Sequence, residues 1–189
     1  MWGGTDIGLC SRALVMLGSI PIASFDDGSE ESILAEVLYE PTLADLLASY
    51  PWKFATAEMT LPRLAAAPPA DFKYAYQLPA DLLRVLSAGA DGSTGLVYRI
   101  RERRLETDSD FVTLSYIFRP DATQWPPHFT TALVTKLSAV FALPLTESSQ
   151  RAQTMMAMAE DAFRRARLID AQQQTPQVVQ DRTLLLARR

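Results

Sequence analysis

The basic residues at positions 98–104 are the first group whose types and spacing could do chemistry. The stretch reads Tyr-Arg-Ile-Arg-Glu-Arg-Arg. If it is a strand, its period of two predicts that Arg99, Arg101 and Arg103 share one face, with Arg104 beside them. Guanidinium groups are planar and bind phosphates or carboxylates through two hydrogen bonds. The pattern therefore indicates either a solvated hairpin face or a contact with DNA or an acidic partner.

His128 is the only histidine in the chain, and a catalytic triad or dyad would need it. It follows Pro126 and Pro127 at a predicted helix start, which is typical of a capping or interface histidine. The sequence contains no nucleophile elbow, no P-loop and no dinucleotide-binding glycine fingerprint. We therefore predict no catalytic, cofactor-binding or metal-binding residues, and we expect a protein that is not an enzyme.

Two pairs of neighbouring carboxylates form the other candidate group: Asp26 with Asp27, and Glu30 with Glu31. They lie at a predicted turn and helix start, where capping and the helix dipole account for acidic residues. A small carboxylate-dependent hydrolase is nevertheless one alternative function. A helical regulatory or nucleic-acid-binding module, which would use the arginines, is another.

The central positioning element is residues 29–50. Ser29 is a predicted N-cap, and the acidic residues after it suit the first turn of a helix. Two apolar stripes follow on opposite sides, Ile33, Leu34, Val37 and Leu38 before Pro41, and Leu43, Leu46, Leu47 and Tyr50 after it. Pro41 either kinks one helix or begins a second. A segment with two apolar faces belongs inside a bundle or between a bundle and a neighbouring subunit.

The whole pattern predicts an α+β, mainly α fold made of one domain, residues 1–171. We expect a bundle of about four helices, at residues 5–18, 29–50, 127–142 and 146–171. Pro144 is expected to end the third helix. A β-hairpin insert is predicted at residues 53–118, beginning with a strand at Lys53, and residues 172–189 are predicted to be an extended C-terminal tail.

Bulk composition excludes several classes. The net charge of −4 carries no global nucleic-acid signature. Cys10 is the only cysteine, so there is no internal disulfide and no cysteine-based zinc cluster, and we expect it in the core. No apolar run approaches the ~18 residues of a membrane helix. The N-terminal residues lack the pattern of a signal peptide, so we expect folding in a cytosol.

Three stretches together resemble a known family. They are Leu17-Gly18-Ser19-Ile20-Pro21-Ile22, Tyr50-Pro51-Trp52-Lys53-Phe54-Ala55 and the run from Tyr74 to Arg84. The layout over about residues 5–170 is similar to the head-to-tail adaptor (connector) proteins of tailed bacteriophages, the tail tubular protein A group, and to the matching adaptor of gene transfer agents. The most specific parts are the Pro-Trp-Lys-Phe-Ala stretch and the run from Tyr76 to Asp81.

The resemblance implies a structural protein without cofactors. Such adaptors form a ring, usually of twelve copies, that joins the capsid portal to the tail and continues the DNA channel. Their partners are the portal protein, a downstream tail or nozzle protein, and DNA that passes without sequence-specific binding; no membrane is involved. The implied location is the head-tail junction of the virion, after assembly in the bacterial host cytoplasm.

The C-terminal tail is the predicted portal-docking segment. In the family that the chain resembles, this segment reaches up to the portal. Independently, its leucine cluster is too apolar for a purely solvated tail, and exposed apolar clusters usually have a partner. The predicted docking residues are Val178, Val179, Leu184, Leu185, Leu186, Arg188 and Arg189.

Overall fold

The structure, a computed structural model, describes residues 5–69, 71–90 and 93–173. Within them it is α+β and mainly α, as predicted. The helices are α1 (Asp6–Met16), α2 (Glu30–Ser49), α3 (Pro127–Thr146) and α4 (Ser149–Ala171). The strands between α2 and α3 are β1 (Thr56–Thr60), β2 (Tyr74–Gln77), β3 (Leu82–Ala90), β4 (Ser93–Thr94), β5 (Tyr98–Arg101), β6 (Arg104–Thr107) and β7 (Thr113–Phe118).

Helix α2 begins at the predicted cap Ser29, and α1 begins after Thr5, the first residue of its predicted range. The hydroxyl of Thr5 accepts a hydrogen bond from the backbone N–H of Gly8 (3.1 Å), and the hydroxyl of Ser29 accepts one from Ser32 (3.1 Å). Each bond satisfies a backbone donor that has no partner inside the helix. At the other end of α1, Gly18 adopts a positive φ of 76°, which glycine does without strain, and the chain turns away as predicted.

Helix α2 is continuous through Pro41. Pro41 is exposed, so water can hydrate the carbonyl of Val37, which loses its helical donor. Leu43 and Leu47 are buried in the core, as the second stripe predicted. The first stripe is divided, because Ile33 is 57% exposed and shares its side of the helix with exposed Val37, while Leu34 and Leu38 are partly buried against the core.

The expected end of the third helix at Pro144 is wrong. Helix α3 continues to Thr146, and α4 begins at Ser149 rather than at residue 146. Pro144 lies in the exposed last turn of α3, where a missing N–H removes only one helical bond at the surface. The helix ends instead at Glu147, which has a φ of 50° and donates its N–H to the carbonyl of Leu143 at 3.0 Å.

Helix α3 is the centre of the bundle and packs against α1, α2 and α4. Its apolar stripe is buried, with Phe129, Leu133, Leu137 and Phe141 all in the core. The expectation that no apolar run approaches the length of a membrane helix is wrong for α3, which by length and composition could cross a membrane, although half of its most apolar window is buried inside the fold. A core helix of a globular bundle passes the same test, and these packing contacts fit that role.

The strand segment forms two antiparallel sheets rather than a row of hairpins. The four-stranded sheet has the order β1-β7-β3-β4, and the three-stranded sheet has the order β2-β6-β5. Pairing of β1 with β7 joins the two ends of the insert, so only β3–β4 and β5–β6 are hairpins between consecutive strands. The predicted strand at Lys53 is a short 3₁₀ helix (Lys53–Ala55), and β1 follows it.

Trp52 anchors the junction between the helices and the sheets. Its side chain is fully buried, and its indole N–H donates to the carbonyl of Leu46 at 3.0 Å. The ring packs edge-on against Phe129 of α3 and Phe163 of α4, with centroid distances of 5.1 and 5.8 Å. The Pro-Trp-Lys-Phe-Ala stretch is therefore a packing motif that joins three helices at one point.

Candidate functional site

The arginine-rich stretch folds into the β5–β6 hairpin, with consequences for each predicted residue. Arg101 and Arg104 are paired directly across the two strands, and Glu102 and Arg103 form the two-residue turn. The prediction that Arg103 shares a strand face with Arg99 and Arg101 is wrong, because the chain reverses at Glu102. A two-residue turn puts Arg104, and not Arg103, opposite Arg101 and so on the same face of the sheet.

Arg99 is held by an internal ion-pair network. Its Nε and Nη2 both donate to Oε2 of Glu106, at 3.0 and 2.6 Å, and its Nη1 donates to Oδ2 of Asp71 at 2.6 Å. The guanidinium also lies over the ring of Phe72, 5.5 Å from its centroid. The hydrogen bonds to Glu106 and Asp71 raise the pKa of Arg99. Glu106 is buried, so Arg99 neutralises a carboxylate inside the fold and its role is structural.

Arg103 fastens the tip of the hairpin to the β2–β3 turn. Its guanidinium donates to the carbonyls of Pro79 and Ala80, both at 3.0 Å, and its own carbonyl accepts the N–H of Leu78 at 3.2 Å. This contact uses the run from Tyr76 to Asp81 that carried part of the resemblance. In that run, buried Tyr76 donates its hydroxyl to the carbonyl of Ser109 at 2.9 Å.

Arg101 and Arg104 differ from the other two arginines. Both side chains are exposed, and neither forms an ion pair with any residue that the structure describes. Like charges directly opposite each other on a sheet repel. Of the four arginines predicted as a possible DNA or partner contact, these two are therefore the ones whose side chains neither Glu106 and Asp71 nor the carbonyls of the β2–β3 turn engage.

His128 lies beside a buried carboxylate that the sequence did not point to. Its Nε2 is 3.9 Å from Oδ1 of Asp170 in α4, and that nitrogen is buried without a hydrogen-bond partner among the described residues. Both oxygens of Asp170 accept the backbone N–H of Lys53, at 3.2 Å each. Burial raises the pKa of Asp170, against the opposing effects of the Lys53 N–H and of His128.

His128, but not Asp170, lines a cavity of about 380 Å³ between α3 and α4. Thr131 and Thr135 also line it, but their hydroxyls donate to helix carbonyls. A base oriented by a carboxylate needs a nucleophile or substrate atom within reach, and these hydroxyls are already engaged. The hydrogen bonds between Asp170 and the N–H of Lys53 join the end of α4 to the segment that follows α2, which is a structural contact.

The candidate carboxylates before α2 organise the α1–α2 loop. Asp27 accepts hydrogen bonds from the hydroxyl and N–H of Ser29 and from the N–H of Ala23, and these bonds lower the pKa of Asp27. Glu31 accepts a hydrogen bond from the hydroxyl of Ser19 at 2.7 Å. Both carboxylates therefore hold the entry to α2 in place.

Exposed aliphatic side chains follow the outer surface of α1 and α2. Ile20, in the loop between them, is 74% exposed, and Val37 is 62% exposed. Val15 and Met16 of α1 also line an apolar groove of about 440 Å³, together with Gly8, Ser11, Arg12, Pro21 and Val134. Their apolar character is plain in the sequence, but only the structure shows that the described residues leave them uncovered.

Three predictions concern residues beyond these sites. Cys10 is buried in the core, as expected, and burial raises the pKa of its thiol to about 12. Across residues 5–69, 71–90 and 93–173, His, Cys, Asp and Glu side chains do not come together in a group of three that could hold a metal ion. The predicted portal-docking residues, from Val178 to Arg189, lie outside the described part of the chain.

No protein-family model and no curated protein matches this sequence.

Proposed function

We propose that this chain is a structural adaptor that assembles into a ring beneath the capsid portal of a tailed phage or gene transfer agent. In that role it joins the portal to the tail at the head-tail junction of the virion and continues the DNA channel. Its work is then binding to copies of itself, to the portal protein and to the next tail or nozzle protein, and not turnover of a substrate.

The observation that carries this proposal is the exposed aliphatic surface of α2. Ile33 and Val37 lie one helical turn apart on a helix whose other side is fully engaged in the core. Scattered exposed aliphatic residues are common, but aligned ones on a helix indicate a packing partner. Burial of one such side chain stabilises an interface by about 1.5–3 kcal/mol. Neighbouring copies in a ring would supply that burial.

The α1 groove adds a second apolar surface on the helical part of the chain. It is bounded by Val15, Met16 and Val134, and Arg12 lies at its edge. Ser19, at the end of α1, hydrogen-bonds to Glu31 at the start of α2, which fixes the loop that carries Ile20. A rigid, partly apolar side of the bundle suits side-by-side packing of identical subunits.

The motifs that carried the resemblance support the proposal as packing features. Trp52 joins three helices, and Tyr76 to Asp81 receives the hairpin tip through Arg103. Such features belong to a rigid part of an assembly. Docking of the C-terminal segment on the portal belongs to the same proposal, on the strength of the leucine cluster in the sequence.

The experiment is a light-scattering mass of the purified chain, alone and mixed with the portal protein from the same genome. The proposal expects a ring-sized species in the mixture, with or without rings of the chain alone. If the chain stays a monomer and leaves the portal mass unchanged, the proposal fails.

A further inference from the structure

We propose that the tip of the β5–β6 hairpin is a phosphate clamp for the backbone of duplex DNA, with Arg101 and Arg104 as its two cationic arms. The inference concerns a single copy of the chain and does not depend on ring formation. It goes beyond passive passage of DNA through a channel, because it names the residues that contact the phosphates.

The first argument is the uncompensated pairing of the two charges. Arg101 and Arg104 are paired directly across the hairpin, so their Cβ atoms lie about 5 Å apart. Both are exposed, and within the described chain no carboxylate forms an ion pair with either. The repulsion between them is relieved when anionic oxygens bind the two guanidinium groups.

The second argument is that the tip is held rigidly in a backbone conformation that its residues disfavour. Glu102 and Arg103 have φ values of 47° and 59°, a region that asparagine and glycine adopt more readily in two-residue turns. The bonds from Arg103 to the carbonyls of Pro79 and Ala80 hold this turn against the neighbouring loop. The arms therefore project from a fixed base, which lowers the entropy lost when they bind.

The third argument is the local charge at the tip. On the same face of the sheet, Arg99 is held by Glu106 and Asp71, and these three groups together carry a formal charge of −1. The three arginines at the tip together with Glu102 carry a formal charge of +2, on a chain of net charge −4. A regular row of phosphates, one per nucleotide on each strand, gives each arm its own partner.

The test measures binding of the purified chain to a short DNA duplex over a series of salt concentrations. The experimental variant is Arg101→Gln with Arg104→Gln. The matched control is Arg84→Gln with Arg151→Gln, which removes the same charge from exposed positions on β3 and α4. The clamp predicts that the experimental variant binds less tightly and that the slope of log K against log salt becomes shallower by about two. The control should keep the wild-type slope.

Three results would overturn the clamp: equal losses in both double variants, absence of duplex binding by the wild-type chain, or equally tight binding of polyglutamate, which would indicate an acidic protein partner. Thermal unfolding separates binding from folding. Because the experimental variant removes a repulsion, its melting temperature should match or exceed that of the wild type, and a large decrease would assign both arginines to the fold.

Discussion

Nε2 of His128 lies 3.9 Å from Oδ1 of Asp170, and both groups are buried where the end of α4 meets Lys53. A buried carboxylate is stabilised less well by protein than by water unless it is fully hydrogen-bonded. Asp170 has one backbone donor, shared between its two oxygens. The raised pKa of this carboxyl follows from that poor solvation.

This burial predicts a specific pH dependence. Because the folded pKa of Asp170 lies above 3.8, its contribution to stability is fully present below that value and is lost as pH rises through the folded pKa. We expect Asp170→Asn to gain stability relative to wild type as pH is raised from the acidic range towards neutrality. Urea unfolding of both proteins over that range measures the difference.

Asp121→Asn is the control for that experiment. Hydrogen bonds from Thr123 lower the pKa of Asp121, so its contribution is present at neutral pH and lost on acidification. The two aspartate variants should therefore differ from wild type with opposite pH trends. A difference for Asp170→Asn that does not change with pH would mean that its carboxyl is solvated as in the unfolded chain.

Replacing Trp52 tests the junction of the three helices. Trp52→Ala removes a fully buried ring that contacts Phe129 and Phe163, and we expect a loss of about 3–5 kcal/mol in the free energy of unfolding. Trp125→Ala is the matched variant, since Trp125 is only partly buried, and its loss should be clearly smaller. Chemical denaturation measures both variants. Equal losses in the free energy of unfolding would contradict the assignment of Trp52 as the anchor of the junction.

A double-mutant cycle on Arg99 and Glu106 tests whether this arginine serves the fold. Arg99→Gln should lower the melting temperature more than Arg101→Gln does, because it leaves buried Glu106 without its cation. Adding Glu106→Gln should restore part of the loss, since the buried charge is then gone. If the single variant melts like wild type, the ion pair contributes nothing to the fold.

The C-terminal segment can be tested without disturbing the bundle. A chain that ends after Gln173 keeps α4 and its contacts through Asp170, so we expect it to fold with the wild-type melting temperature. It should fail to bind the portal protein in a pull-down. Replacing Leu184, Leu185 and Leu186 by serine in the full chain should reproduce that loss, whereas normal binding by either variant would contradict the docking proposal.

Features set by neighbouring residues could be predicted from the sequence. Thr5 and Ser29 cap their helices because capping needs only the next three residues, and the buried stripe of α3 follows from its 3.6-residue period. The fold class followed from these elements. Pro144 was misread because a proline at the exposed end of a helix costs less than one in its middle.

Features set by distant residues could not be predicted from the sequence. The contact between Lys53 and Asp170 joins positions far apart in the chain, and no local pattern marks it. The prediction of a shared arginine face was wrong for Arg103, because the position of one turn decides whether Arg103 or Arg104 faces Arg101. The ion pair between Arg99 and Glu106 also depends on strand register, which the hydrophobic pattern alone did not determine.

The most direct test of the proposed adaptor is the mass of the chain mixed with portal protein, compared across matched surface variants. Ile33→Ser with Val37→Ser removes the exposed aliphatic residues of α2, and Leu168→Ser with Ile169→Ser removes two exposed aliphatic residues of α4. Light scattering should show a ring-sized complex for the wild type and for the α4 variant, and loss of that complex for the α2 variant. A wild-type chain that never rises above the monomer mass, with or without portal, would contradict the adaptor proposal, and equal assembly by both variants would contradict the assignment of α2 as its interface.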